Sequence, residues 1–251
     1  MGIIHKIERK LTKLRLQPIR VFCFHQVSEV YNPLIMWECD WVQIDRFKQN
    51  ILQLKSNGVE FISLLEAHEK LKHDRFRPKH YAVLTADDGY KTLLNILPWL
   101  EGQQIPITLF INTKYLDGQS WSENNEEQAR RIKPDVNMLT EVCPSLYLSE
   151  GELQKIAASP WVTIGLHGHE HLDATKISIE KFRQNVELCM KALKNIPHTI
   201  PYYSYPWELH SGNTDAILKE HELTPVLMNG RNWNNTEYIS REVLEGKIVE
   251  V

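Results

Sequence analysis

Tyr81-Ala82-Val83-Leu84-Thr85-Ala86 runs straight into Asp87-Asp88-Gly89-Tyr90. An apolar run of this length bounded by turn residues reads as a strand, and its end carries two adjacent carboxylates. Working outward, the same arrangement recurs. Val21–Phe24 reads as a strand followed by His25, Trp161–Leu166 as a strand followed by His167-Gly168-His169-Glu170-His171, and Tyr202–Tyr205 as a strand followed by Pro206-Trp207-Glu208. Val59–Ile62, Ile105–Ile111 and Thr224–Met228 are further strand candidates, with Thr224–Met228 closing the set. Between them lie helical patterns. Ile44, Phe47, Ile51 and Leu54 mark one face, ended by Asn57-Gly58. Tyr90–Glu101 reads as helical despite Pro98, Ser149-Glu150-Gly151-Glu152 is a capping box, and Phe182, Val186, Cys189 and Leu193 face inward from Ile179–Asn195.

This alternation is the signature of a βα series. About seven units in one domain favour a closed or nearly closed parallel barrel, with an open doubly wound sheet as the alternative. No glycine-rich phosphate cradle follows any strand, so a nucleotide-binding fold lacks its defining loop. Residues 112–147 break the rhythm with a polar stretch, and a segment that long is expected to be a lid, a binding loop or a helical insertion. The expected organisation is a basic amphipathic segment at 1–19 and one catalytic domain at 20–251 with an insertion at about 112–147.

The 251 residues are 42% hydrophobic and 24% charged, which excludes disorder. A net charge of −3 argues against a broad nucleic-acid-binding face, and no apolar run of membrane-spanning length occurs. Cys23, Cys39, Cys143 and Cys189 form no paired motif; Cys23, Cys143 and Cys189 read as reduced core thiols of a cytoplasmic protein. Residues 1–20 carry Lys6, Arg9, Lys10, Lys13, Arg15 and Arg20 against Glu8, and Ile3, Ile7, Leu11 and Leu14 recur at helical spacing. Charges interrupt every stretch that could serve as the apolar core of a secretion signal. Such a helix suits either peripheral contact with an anionic membrane at its inner face or packing on the domain's own surface.

In a parallel barrel all C-terminal strand ends point to one face, so residues far apart in sequence converge there. His167 and His171 stand four apart and can reach one ion, with Asp88 as the natural third ligand. Two neighbouring buried carboxylates repel and need different employment: one on a metal, the other as general base. Taken singly, His-x-x-x-His is often accidental, Asp-Asp-Gly is often a turn, His25 suits a structural hydrogen bond and His169 suits loop surface. Their joint occurrence at strand ends carries the functional reading.

Thr85-Ala86-Asp87-Asp88-Gly89-Tyr90 resembles the T-F-D-D-G-Y motif of the polysaccharide deacetylases, carbohydrate esterase family 4 with its NodB-homology domain. Ile164-Gly165-Leu166-His167-Gly168-His169-Glu170-His171 is similar to that family's I-G-x-H-[S/T]-x-x-H motif. Phe24-His25-Gln26-Val27-Ser28 and Ser204-Tyr205-Pro206-Trp207-Glu208 resemble segments of the poly-N-acetylglucosamine deacetylase branch, in which motif order is permuted. No L-x-x-H follows Trp207, the place where classical members carry their acid. The resemblance implies a distorted (β/α)7 TIM-like barrel and a hydrolase removing N-acetyl groups from an amino sugar of a cell-surface glycan or its lipid-linked precursor.

It further implies Asp87 as base, His25 as general acid, and Asp88, His167 and His171 around one divalent ion, zinc with cobalt or nickel as alternatives. Trp207, Tyr90 and Pro206 fall on the substrate side, and the Trp207 backbone N–H is a candidate oxyanion donor. A deformylase of a lipid-linked formamido sugar and a non-catalytic glycan-binding relative are the competing readings. Four departures stand out: Ala86 replaces Phe, Gly168 replaces a hydroxyl residue that would brace its loop, Glu208 replaces a Gly and adds charge at the rim, and Ser204 replaces an Arg that orients the base. The acidity of Asp87 must therefore be set differently.

Overall fold

The computed structural model describes residues 16–31, 41–74 and 76–244. The basic segment expected at 1–19 lies outside them up to residue 15, as does Cys39. Among the described residues no helix is long and apolar enough to cross a membrane. The strands are β1 (Ile19–Phe24), β2 (Gln26–Ser28), β3 (Trp41–Gln43), β4 (Glu60–Phe61), β5 (Tyr81–Ala86), β6 (Ile107–Ile111), β7 (Val162–Leu166), β8 (Thr199–Ser204), β9 (Thr224–Leu227), β10 (Ile239–Ser240) and β11 (Glu242–Val243). The helices are α1 (Ile44–Ser56), α2 (Leu64–His73), α3 (Leu97–Gly102), α4 (Glu123–Ile132), α5 (Cys143–Leu146), α6 (Glu150–Ala157), α7 (Ile179–Leu193) and α8 (Gly212–Glu220).

The main sheet runs β10-β9-β8-β7-β6-β5-β1-β11, parallel throughout, with β4 added beside the start of β5. Its two ends are the same piece of chain. β10 pairs with β9, β11 pairs with β1, and only Arg241 separates them. The Arg241 N–H donates to Leu227 O of β9, while the Leu244 N–H donates to Cys23 O of β1. The segment 239–243 thus closes the sheet, giving staves β1, β5, β6, β7, β8, β9 and 239–243: a seven-stave barrel. It is distorted because its last stave pairs with each neighbour over only two residues.

Strand alternation sorts the side chains. Ile19 and Val21, Val83, Phe110, Ile200 and Tyr202, Val226 and Ile239 form one interior cluster, joined by Leu64, Ala67 and Leu71 of α2, which plug its N-terminal end. A larger cluster fills the layer between the sheet and the surrounding helices, taking Phe47, Ile51 and Leu54 from α1 and Phe182, Val186, Cys189 and Leu193 from α7. Room for the Phe110 ring inside the barrel depends on Gly165 across from it: a Cβ there would lie 2.4 Å from two ring carbons.

The sequence expectations hold with local exceptions. Tyr81–Ala86 is a strand over that whole span, and the capping box at Ser149 opens α6. The single helix expected over Tyr90–Glu101 is instead a 3-10 turn, Lys91–Asn95, followed by α3. Pro98 explains the break, because it lacks an N–H to bond back to the preceding turn and sits in the first turn of a new helix. Thr224–Met228 is not the last strand: β10 and β11 follow it. The insertion at 112–147 is helical, with α4 and α5 as its main pieces.

Candidate active site

The strand ends converge as the barrel requires. His25 follows β1, Asp87 and Asp88 follow β5, His167 follows β7, and Trp207 lies in a turn after β8. A cleft of about 230 Å³ is lined by His25, Asp87, Asp88, Tyr90, His167, His171 and Trp207 together with residues from the insertion. Pro206 does not line it; this residue is buried and opens the 3-10 turn Pro206–Glu208. His169 also stays apart, its Nδ1 lying 2.9 Å from Thr113 Oγ1.

Asp88 Oδ1 lies 3.2 Å from Nε2 of both His167 and His171. The His167 ring is fixed by its other nitrogen, 2.7 Å from the Ser204 carbonyl. A carbonyl only accepts, so Nδ1 carries the proton and Nε2 presents a lone pair when the ring is neutral. Asp88 Oδ1, which the His167 lone pair faces, is buried without a hydrogen-bond partner. Burial disfavours charge on His167, yet Asp87 and Asp88 together raise its pKa, so the pocket calls for positive charge at this point. Asp88, His167 and His171 form a candidate metal cluster with donor atoms within 4.8 Å of one another. The donor set fits a divalent ion of the zinc type, held by two imidazoles and a carboxylate with positions left for water and substrate.

Asp87 is held elsewhere. Its Oδ1 accepts from Arg241 Nη1 at 2.6 Å and its Oδ2 from Nη2 at 2.8 Å. Ser204 sits between them, accepting from Nη2 at 2.7 Å and donating to Oδ2 at 3.0 Å. This answers the question left by the missing family Arg: a short Ser at 204 makes room for a guanidinium arriving from the closing stave. Arg241 in turn lies over the Phe110 ring, 5.4 Å from its centroid. Burial alone would raise the Asp87 pKa, but Arg241 and then His167 outweigh it and hold the carboxyl far below the usual range. Cys23, His25 and Asp87 also bring donor atoms within 4.8 Å. Both Asp87 oxygens already bond to Arg241, and burial pushes the Cys23 thiol well up, so this group suits proton handling rather than a second ion.

The loops that carry these residues are strained. Asp88, His171, Trp207 and Glu208 all have positive φ without being glycine, a costly conformation that clusters at functional sites. Gly168 has φ +78, and a Cβ there would meet Asn185 Oδ1 at 2.6 Å. The brace that a hydroxyl at 168 would supply comes instead from α7, where Asn185 Oδ1 accepts from the His169 N–H at 2.6 Å.

The insertion packs directly on the cleft. Tyr147 stacks between Tyr90 and Tyr115, with ring centroids 5.1 and 4.5 Å away, and the Leu148 N–H donates to Gly89 O. Tyr147 OH donates to Asn125 Oδ1, which ties α4 to the Asp88-Gly89-Tyr90 turn. Sequence reasoning missed Arg241, Asn185 and this tyrosine stack. The one available signal was an Arg between Ile239 and the apolar pair Val243-Leu244.

The barrel fold has counterparts among solved structures. The structure of IcaB from Ammonifex degensii superposes with a TM-score of 0.71 at 17% identity, covering 92% of this chain and 93% of that one. The deacetylase PplD of Streptococcus pyogenes, solved in complex with acetate, gives 0.71 at 17% identity over 92% of this chain and 94% of that one. The BpsB deacetylase domain of Bordetella bronchiseptica gives 0.65 at 17% identity over 90% and 95%. At such identities the likeness is one of fold. No curated protein sequence matches the chain. Residues 74–226, more than half of the chain, match the family described as polysaccharide deacetylase. That span holds Asp87, Asp88, His167 and His171 but neither His25 nor Arg241, and it places this protein in the polysaccharide deacetylase family.

Proposed function

We propose that this protein is a metal-dependent N-deacetylase acting on an amino sugar of a cell-surface glycan or its lipid-linked precursor. The observation that carries the reading is the division of labour between neighbouring carboxylates: Asp88 Oδ1 faces two imidazole nitrogens at 3.2 Å, while Asp87 is clamped by Arg241. A divalent ion held by Asp88, His167 and His171 would supply Lewis acidity and a water whose pKa is brought toward neutrality.

Asp87, ionised and fixed in orientation, accepts the proton of the attacking water. The Trp207 N–H, in the tight turn after β8, donates to the oxyanion that develops from the acetamide carbonyl. His25 delivers a proton to the departing nitrogen, which an amide requires because its anion is a very poor leaving group. Arg241 and Ser204 act through Asp87, holding its carboxylate toward the cleft.

The test is acetate release from N-acetylglucosamine oligomers by the zinc-loaded protein, beside its Asp87→Asn variant. Release by the parent and its loss in the variant support the reading. Full activity in Asp87→Asn would remove Asp87 as the base. Formate release from an N-formylated sugar, with no acetate release, would redirect the reaction to deformylation.

A further inference from the structure

We infer that Asp215 is a positioning residue for the reaction: from α8 it clamps both ends of the strained turn 205–210 and so aims the Trp207 N–H at the developing oxyanion. The inference rests on the proposed deacetylase reading and gives a role at that site to a residue that does not line the cleft.

The first observation is that the turn needs a clamp. Trp207 and Glu208 follow one another with φ of +57° and +59°, and two such residues in succession persist only where their surroundings over-determine them. A Gly at 208, the family residue, would adopt this conformation freely; the Glu present here does not. Inside the turn the Glu208 N–H donates to Tyr205 O at 3.1 Å and the Leu209 N–H to Pro206 O at 3.4 Å. The Trp207 N–H has no partner among the described residues. That leaves it available to an oxyanion, and it leaves the centre of the turn unfastened.

The second observation is where the hold comes from. Asp215 Oδ1 accepts from Tyr205 OH at 2.9 Å, at the start of the turn. Asp215 Oδ2 lies 3.1 Å from His210 Nδ1, at its end. A carboxylate only accepts, so His210 presents an N–H at Nδ1. Burial, reinforced by the neighbouring Asp215 charge, pushes the Tyr205 hydroxyl far above the usual phenol range and keeps it a donor. The Tyr205 ring also stacks on Phe182 of α7 and on His210, with centroids 5.8 and 5.3 Å away. Asp215 is itself fixed by its helix: its N–H donates to Ser211 O, and Ser211 caps the first turn of α8. One carboxylate on a rigid element thus bonds to two residues five apart that bracket the strained pair.

The experiment compares acetate release from N-acetylglucosamine oligomers by the zinc-loaded parent and its Asp215→Ala, Asp215→Asn and Tyr205→Phe variants. A misdirected oxyanion donor lowers kcat by about a hundredfold, so Asp215→Ala should show that loss with KM within about twofold. Asp215→Asn keeps an oxygen for Tyr205 and should stay within about fivefold of the parent, the worth of an exposed ion pair. Tyr205→Phe, which leaves α8 intact, should lose about tenfold in kcat, one charge-assisted hydrogen bond, and add nothing to Asp215→Ala in the double variant. A methylphosphonamidate analogue of the substrate, whose tetrahedral oxygen occupies the oxyanion position, should lose affinity in Asp215→Ala in parallel with kcat. Full kcat in Asp215→Ala, a loss confined to KM, or undiminished binding of the analogue overturns the inference. A readout independent of activity is amide hydrogen exchange over residues 207–209, expected to be faster in Asp215→Ala and restored in Asp215→Asn. That pattern without acetate release by the parent would uphold the clamp and sink the deacetylase reading alone, whereas unchanged exchange would sink the clamp whatever the parent does.

Discussion

Arg241 Nη1 and Nη2 reach Asp87 Oδ1 and Oδ2 at 2.6 and 2.8 Å, joining two residues 154 apart in sequence. The pair is buried at the point where the last stave closes the barrel against β1 and β9. Closing the fold and orienting the Asp87 carboxylate are therefore one structural event. The guanidinium rests on Phe110, Phe110 occupies space left by Gly165, and Ser204 bridges both charges.

Arg241→Met should lower kcat/KM by about a hundredfold through misplacement of the base, and it should change the pH profile. With Arg241 present, Asp87 stays ionised far below the ordinary carboxylate range and contributes no acid limb to activity at ordinary assay pH. Without it, burial raises the Asp87 pKa, so activity falls as pH drops through the raised value. A kcat/KM profile in which the acid limb of the variant does not move upward counts against this role.

The same pair sets an acid limit on stability. A carboxyl whose folded pKa is depressed stabilises the protein above its unfolded value of about 3.9, and this is lost as pH falls below it. Breaking a buried pair by removing one partner costs about 3–5 kcal/mol. Urea unfolding at neutral pH should show a loss of that order for Arg241→Met, shrinking on acidification from the raised Asp87 pKa of the variant downward.

Gly165→Ala should destabilise by about 1–3 kcal/mol, the usual cost of overpacking, because its methyl would strike the Phe110 ring. Combining it with Phe110→Leu should recover part of the loss, and a double-mutant cycle reads the coupling directly. Additive effects would mean that the two residues do not share the space.

Gly168→Ser restores the residue type usual in the family motif, yet it should harm this protein. The new side chain would demand φ +78 from a non-glycine and collide with Asn185 Oδ1, costing about 1–3 kcal/mol. A thermal melt in which Gly168→Ser equals or exceeds the parent would refute the assignment of Asn185 as the substitute brace.

Much of this site was legible in the sequence because its residues follow strands, where an apolar run and a polar break declare a strand end. His25, Asp87, Asp88 and His167 were readable in this way, and His171 followed from its spacing. Arg241 was not. The stave carrying it pairs over two residues on each side, too short to leave a periodic pattern, and its partner is distant in sequence. The helix expected across Pro98 failed for a local reason, since proline reads equally as an interruption or as a first-turn residue. The role of the insertion depends on packing of Tyr147 between two other tyrosines, which no spacing rule encodes.

The most direct test is metal content, measured by elemental analysis on the zinc-loaded parent and on Asp87→Asn, Asp88→Ala and His167→Ala. The expected result is close to one divalent ion per chain in the parent and in Asp87→Asn, and none in the other two. An ion retained by Asp88→Ala and His167→Ala, or no ion in the parent after loading, would contradict the division of Asp87 and Asp88 into base and ligand.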